Sequence, residues 1–204
     1  MTLPAREVTA GWCELVKQGA VGSRKLFDLT VSSLRKSNLD QRVIRSSPQL
    51  EKLIAAQCAF KASIVADDER EALDRTGHRS RRILNFGHTV GHALEAATGY
   101  RRFRHGEAVG YGMLVAGKLS KTLGLLEASE LELLREAVQL CGSLPAAGDL
   151  DQREIVDLIR HDKKSLDGYV QWVLLERVGR ARIVSGREIK PRELRASLRN
   201  VLQE

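Results

Sequence analysis

Apolar positions recur at three- and four-residue spacing along most of this chain, and that rhythm predicts helices. Residues near 5–20 and 24–36 read as two helices parted by Gly19 and Gly22. A long helix follows Pro48, with Leu50, Leu53, Ile54 and Cys58 as its apolar stripe. Leu73 to Ser80 is polar, contains Gly77 and reads as a loop. The next helix runs to about Ala97 and stops at Gly99; another, from about His105 to Leu123, carries Val109, Met113 and Ala116 and stops at Gly124. Ser129 with Glu132 predicts a capping box for a helix along Leu131, Leu134 and Val138. A further short helix is expected to end near Lys164. The period then changes. Tyr169 to Leu175 is rich in β-formers, and Ala181 and Ile183 alternate with Arg180 and Arg182 beyond Gly179, which predicts a hairpin. Pro191 opens a last helix whose inner face is Leu194, Leu198, Val201 and Leu202.

The pattern therefore predicts a mainly α fold: a multi-helix domain with a small β-hairpin near the C-terminus, one domain over residues 1–204. Repeats, low-complexity segments and linkers are missing. No βαβ alternation and no strand-borne GxGxxG occurs, so nothing here would hold a dinucleotide; Gly110-Tyr111-Gly112 lies inside a helical pattern. With 43% hydrophobic and 29% charged residues, the composition suits a globular protein with a substantial core. No apolar run is long enough for a membrane span, and the N-terminus lacks the apolar segment of a signal peptide. Three scattered cysteines, with no CxxC, point to reduced thiols and a cytoplasmic setting.

Three of the five histidines fall between residues 88 and 105. His88 and His92 are four apart and share one helix face, while His105 opens the next helix. Imidazole is the commonest side-chain ligand for borderline metals such as zinc. Small residues (Gly87, Thr89, Gly91 and Gly106) surround the three rings and let the backbone pack closely around a bound group. Spacing alone makes His88 and His92 the first two ligands of a metal held between two helices. A surface or satisfied core histidine is the bland reading of any one of them. The net charge of +7 is a nucleic-acid signal in general. Here, however, Arg79, Arg81, Arg82, Arg101, Arg102 and Arg104 ring the histidines, which suits a small, multiply anionic substrate. With 4% aromatics and no zinc finger or RNP-like run, a polymer ligand is not expected.

The segment Asn85-Phe86-Gly87-His88-Thr89-Val90-Gly91-His92, followed by His105-Gly106-Glu107-Ala108-Val109, resembles the signature of 3-dehydroquinate synthase, a sugar-phosphate cyclase. Gly11-Trp12-Cys13-Glu14-Leu15-Val16-Lys17-Gln18-Gly19 is similar to the family's Glu-Val-Ile-Lys segment. Lys61 with Asp68-Glu69-Arg70-Glu71, and the late Asp162-Lys163-Lys164, match two further runs in order and spacing. Four ordered motifs together are highly specific. They cover nearly the whole chain but only the C-terminal half of the family, without its N-terminal NAD-binding domain.

The resemblance implies that Glu14, His88 and His105 bind a divalent metal, zinc or another such as cobalt. His92 then becomes a proton-transfer residue together with Glu71. Lys17, Lys61, Arg81, Asn85 and one of Lys163 and Lys164, with a slight preference for Lys164, would meet the carboxylate and phosphate of the family's seven-carbon keto-acid phosphate (DAHP). The chemistry implied is oxidation by NAD, loss of phosphate, return of the hydride and an aldol closure to 3-dehydroquinate. One departure stands out: Ala72 to Ser80 is several residues longer than the family's link, so Arg79 and Arg82 are alternatives to Arg81. NAD would be supplied through the missing domain, the isolated chain would be inactive, and a homodimer is expected from the apolar surface left uncovered. The rival readings are a sister cyclase of the 2-deoxy-scyllo-inosose or valiolone type, a non-catalytic module of the same fold, and a stand-alone zinc hydrolase.

Overall fold

The computed structural model describes residues 3–37, 39–40, 47–72, 74–161, 165–166 and 169–203. Helix α5 (His105–Thr122) is its axis. Residues on every side of α5 are buried, from Ala108 and Val109 to Met113, Val115, Ala116 and Leu119, as expected of a helix surrounded by others. Around it pack α1 (Ala5–Gly22), α4 (His88–Ala97), α6 (Ala128–Leu140) and α8 (Pro191–Leu202). Helices α2 (Arg24–Ser37) and α3 (Pro48–Asp67) layer onto α1, and α7 (Gln152–Arg160) lies against α4. The interior is one contiguous apolar cluster running from Trp12 to Leu202.

The hairpin is present. Strand β2 (Tyr169–Arg177) pairs antiparallel with β3 (Arg180–Ser185), with Val173 opposite Ile183, and the two-residue β1 (Ser165–Leu166) pairs with the start of β2. Gly179 turns the hairpin at φ +89°, and its N–H donates to the Ala20 carbonyl at 2.7 Å. A Cβ there would meet the Ser23–Arg24 backbone, so both conformation and space demand glycine.

Two sequence expectations give way. On α3 the buried line is Leu53, Gln57 and Ile64, whereas Ile54 is 48% exposed and Cys58 is exposed. Packing across α1 and α2 selects the 53–57–60–64 line. Gln57 pays its way there by donating to the Leu15 carbonyl at 3.0 Å and to Thr30 Oγ1 at 3.1 Å. On α6 the helix begins at Ala128 behind Glu127, so Ser129 lies inside the first turn and its capping box with Glu132 is not formed. Glu130, in that first turn, accepts instead from Arg24 Nη1 at 3.1 Å and from the Val178 N–H at 2.6 Å. The first turn of this helix is thus tied to the α2 start and the hairpin turn rather than closed by a local capping box. The short helix α7 ends at Arg160; Asp162 to Lys164 lie outside the described residues.

Candidate metal centre

The three imidazoles meet because of how α4 and α5 begin. A 3-10 turn (Arg81–Asn85) leads through Phe86 and left-handed Gly87 (φ +79°) into α4, with His88 as its first residue and His92 one turn on. His105 is the first residue of α5. Gly112 of α5 lies against the Gly87 backbone so closely that a Cβ would overlap the carbonyl oxygen. The ring centroids of His88 stand 5.3 Å from His92 and 5.0 Å from His105, with His92 and His105 5.8 Å apart. One nitrogen from each ring lies within 4.8 Å of the others.

The trio that converges is His88, His92 and His105, and helix α1 brings the Glu14 carboxylate up beside His105 at its edge. Gly106 sits against Ala10, where a Cβ would overlap the Ala10 carbonyl, and Glu107, fully buried, binds Arg6 Nε at 2.8 Å and the Arg104 N–H at 2.7 Å. These contacts hold the first turn of α5 against α1 and bring Glu14 Oε1 to 3.9 Å from His105 Nε2. Glu14 Oε2 accepts from Lys17 Nζ at 2.7 Å, but Oε1 is buried without a hydrogen-bond partner. An unpaired buried carboxylate oxygen facing imidazole nitrogens is costly, and a divalent cation would satisfy it. The donor set fits a zinc- or cobalt-like ion.

The electrostatics agree with this. His88 Nδ1 faces the Phe86 carbonyl at 3.2 Å, which leaves Nε2 free as a lone-pair donor. Burial, then the charge of Lys17, pushes the His88 pKa down to about 3, so the ring stays neutral. Lys17 is only 5% exposed and its pKa is also lowered by burial, with the Glu14 carboxylate opposing.

Next to the imidazoles a cavity of about 280 Å³ is lined by Glu14, Lys17, Gln18, Lys61, Glu71, Arg81, Asn85 and His88, among others. The described residues expected to bind substrate, Lys17, Lys61, Arg81 and Asn85, border this one space together with Glu71, whereas His92 is not part of its lining; Lys163 and Lys164 lie outside the described residues. Of the three candidate arginines, only Arg81 lines it. Arg79 pairs with the Asp67 carboxylate, and Arg82 is buried with Nη2 donating to the Arg75 carbonyl at 2.6 Å. The long 72–80 run is pinned by Asp68, which accepts from the N–H groups of Ala72 and Arg81, both at 2.8 Å. Those two bonds also hold the Asp68 carboxyl below its ordinary pKa. The Thr76 carbonyl accepts from the Ile183 N–H at 3.0 Å, which ties the same run to β3. Glu71 adopts φ +52° and accepts from Asn85 Nδ2 at 3.3 Å.

Three residues that lie in or between the sequence motifs, but to which those assign no role, also belong here. Gln18, one turn from Glu14, lines the cavity and keeps a buried Oε1 without a hydrogen-bond partner. Asp68 shapes the long loop, and Glu95 stands 3.2 Å from His105 Nδ1. Helical spacing would have found Gln18 (14 to 18) and Glu95 (88, 92, 95); the role of Asp68 depends on a loop conformation that no spacing encodes.

The family profile described as 3-dehydroquinate synthase C-terminal matches residues 11–165, from the approach to Glu14 through the histidine cluster. The chain belongs to the 3-dehydroquinate synthase family. Within that family it is 36% identical over 187 residues to the 3-dehydroquinate synthase of Thermoanaerobacter pseudethanolicus, covering 92% of this chain and 49% of that protein. It is 38% identical over 188 residues to that of Solibacter usitatus, with the same coverage. The chain thus spans about half the length of the curated relatives it matches. Among solved structures, the 2-epi-5-epi-valiolone synthase of Streptomyces hygroscopicus, with NAD+ and Zn2+ bound, superposes with a TM-score of 0.74 at 25% identity. It covers 98% of this chain and 52% of its own. A 2-deoxy-scyllo-inosose synthase complexed with carbaglucose-6-phosphate, NAD+ and Co2+ gives 0.76 at 26% identity, over 98% of this chain and 54% of that one. The mainly helical fold with its late hairpin is that of the C-terminal part of such sugar-phosphate cyclases. Among the described residues no helix is long and apolar enough to cross a membrane.

Proposed function

We propose that residues 1–204 form a single metal- and substrate-binding domain of a cytoplasmic, dimeric 3-dehydroquinate synthase that converts DAHP to 3-dehydroquinate with release of phosphate. Activity would require a nucleotide-binding half in addition to this chain. The observation that carries this reading is the buried, unpartnered Glu14 Oε1 turned toward His105 and its neighbouring imidazoles, beside a cavity lined by cations.

Glu14, His88 and His105 would hold the divalent metal, with His92 left to move protons. When bound, the metal would act as a Lewis acid toward a substrate hydroxyl, and NAD held by the other half would accept and return a hydride. Lys17, Lys61, Arg81 and one of Lys163 and Lys164 would neutralise the substrate's carboxylate and phosphate, and Asn85 would orient a hydroxyl. Lys17 serves this well: it is nearly buried, so its charge acts at low effective dielectric and its ammonium is aimed by Glu14. Glu71, held by Asn85 at the cavity wall, and His92 would take and return protons at the reacting carbons.

A second reading has its own support. The solved structures described above are valiolone and 2-deoxy-scyllo-inosose synthases, so a sister cyclase acting on another sugar phosphate shares this framework. Metal analysis of the purified chain with Glu14→Ala and His92→Ala tests the ligand set: the first is expected to lose bound metal and the second to keep it. Retention by both would overturn the assignment. Phosphate release by the chain joined to a nucleotide-binding half, with DAHP against other sugar phosphates, separates the two cyclase readings.

A further inference from the structure

His105 is the least enclosed of the candidate ligands. Its side chain is 46% exposed, and as the first residue of α5 it has no preceding helical turn to pack upon. Packing alone therefore does not fix its ring. One contact does: Glu95 Oε2 stands 3.2 Å from His105 Nδ1. Glu95 is itself well placed to hold a partner still. Its side chain is 12% exposed, and its backbone sits in the last turn of α4, where its carbonyl accepts from the N–H groups of Thr98 at 3.3 Å and Tyr100 at 2.7 Å.

The geometry points to Glu95 as a positioning residue that sets the tautomer and aim of His105 for the metal. This inference rests on the reading of His105 as a ligand and extends it by one residue. A carboxylate cannot donate when ionised, so His105 must supply the proton in this contact, from Nδ1. The neutral ring then carries its lone pair on Nε2, the nitrogen that faces Glu14 Oε1 at 3.9 Å. The two ring nitrogens point to opposite sides of the imidazole, so Glu95 cannot reach a cation bound at Nε2 and its role is to orient. His88 achieves the same selection with the Phe86 carbonyl. A carboxylate is a charged acceptor and holds the ring N–H more firmly than a neutral carbonyl can. It also couples α4 to α5 across the gap between His92 and His105.

The test uses the full chain with Glu95→Ala, Glu95→Gln and His105→Ala. Zinc affinity is read by competition with a chromophoric chelator, and the His105 tautomer by 15N-edited NMR of the metal-free protein. The expected wild-type state is Nδ1–H with an Nε2 lone pair. Glu95→Ala should lose roughly 10–100-fold in zinc affinity and shift His105 toward Nε2–H. Glu95→Gln, which can still accept through its amide oxygen, should keep the tautomer and lose less affinity. If Glu95→Ala fails to fold, Glu95→Gln decides alone: an unchanged tautomer with zinc affinity below wild type supports the proposal, and wild-type affinity overturns it. Unaltered affinity and tautomer in Glu95→Ala, with zinc lost in His105→Ala, would sink the role of Glu95 only. Zinc retained in His105→Ala would instead remove the ligand reading beneath it.

Discussion

A histidine in a metal site must be neutral to ligate, and His88 meets that condition before any ion arrives. Its ordinary pKa of 6.5 falls to about 3 through burial and the nearby Lys17 charge. Because the folded value lies below the unfolded one, the unfolded chain binds a proton between those limits that the folded chain refuses. The contribution to stability is complete above pH 6.5 and declines as pH falls toward 3. We expect the melting temperature of the metal-free chain to drop more steeply from pH 6.5 to 4 than that of His88→Asn. Parallel slopes would refute this. At this scale the sequence was informative wherever side chains share a helix face. Glu14 and Lys17 lie on one face of α1, and His88 and His92 on one face of α4, so periodicity groups them. It could not rank Arg79, Arg81 and Arg82, because the loop bonded to Asp68 decides which arginine borders the cavity.

Helix–helix distance is what turns those faces into one site. Gly106 lets α5 touch α1 at Ala10, and the Arg6–Glu107 pair fastens the same crossing. Gly106→Ala should push the two helices apart, lower stability by about 1–3 kcal/mol and weaken zinc binding, since Glu14 and His105 ride on opposite sides of that contact. Gly77→Ala, in a loop with open space around the glycine, should change neither melting temperature nor zinc affinity. Equal effects of the two substitutions would show that close approach is not the cause. The helices themselves were legible because each buries one stripe, as with Leu194, Leu198, Val201 and Leu202 on α8. The start of α6 and the inward line of α3 were not. Glu130 answers to the hairpin turn and Gln57 to α1 and α2, both partners distant in sequence.

For the molecule as a whole, the formal charge is +7, and three of its cations, Lys17, Lys61 and Arg81, line one cavity together with the carboxylates Glu14 and Glu71. Inorganic phosphate is expected to raise the melting temperature, by mass action on the folded state. Added sodium chloride should erode that gain, and Lys61→Ala should reduce it at low salt. Stabilisation that ignores both salt and Lys61 would place the anion elsewhere. What the sequence determined by itself was the order of elements, the fold class and the identity of the chemical groups, because periodicity and ordered motifs are local properties of the chain. What only the tertiary structure decided was their convergence: Glu14 beside His105, Arg81 rather than its neighbours, Glu95 behind the ring. Those depend on backbone approach at Gly106 and Gly112 and on a loop tied through Asp68, and such distances arise only when separate segments pack together.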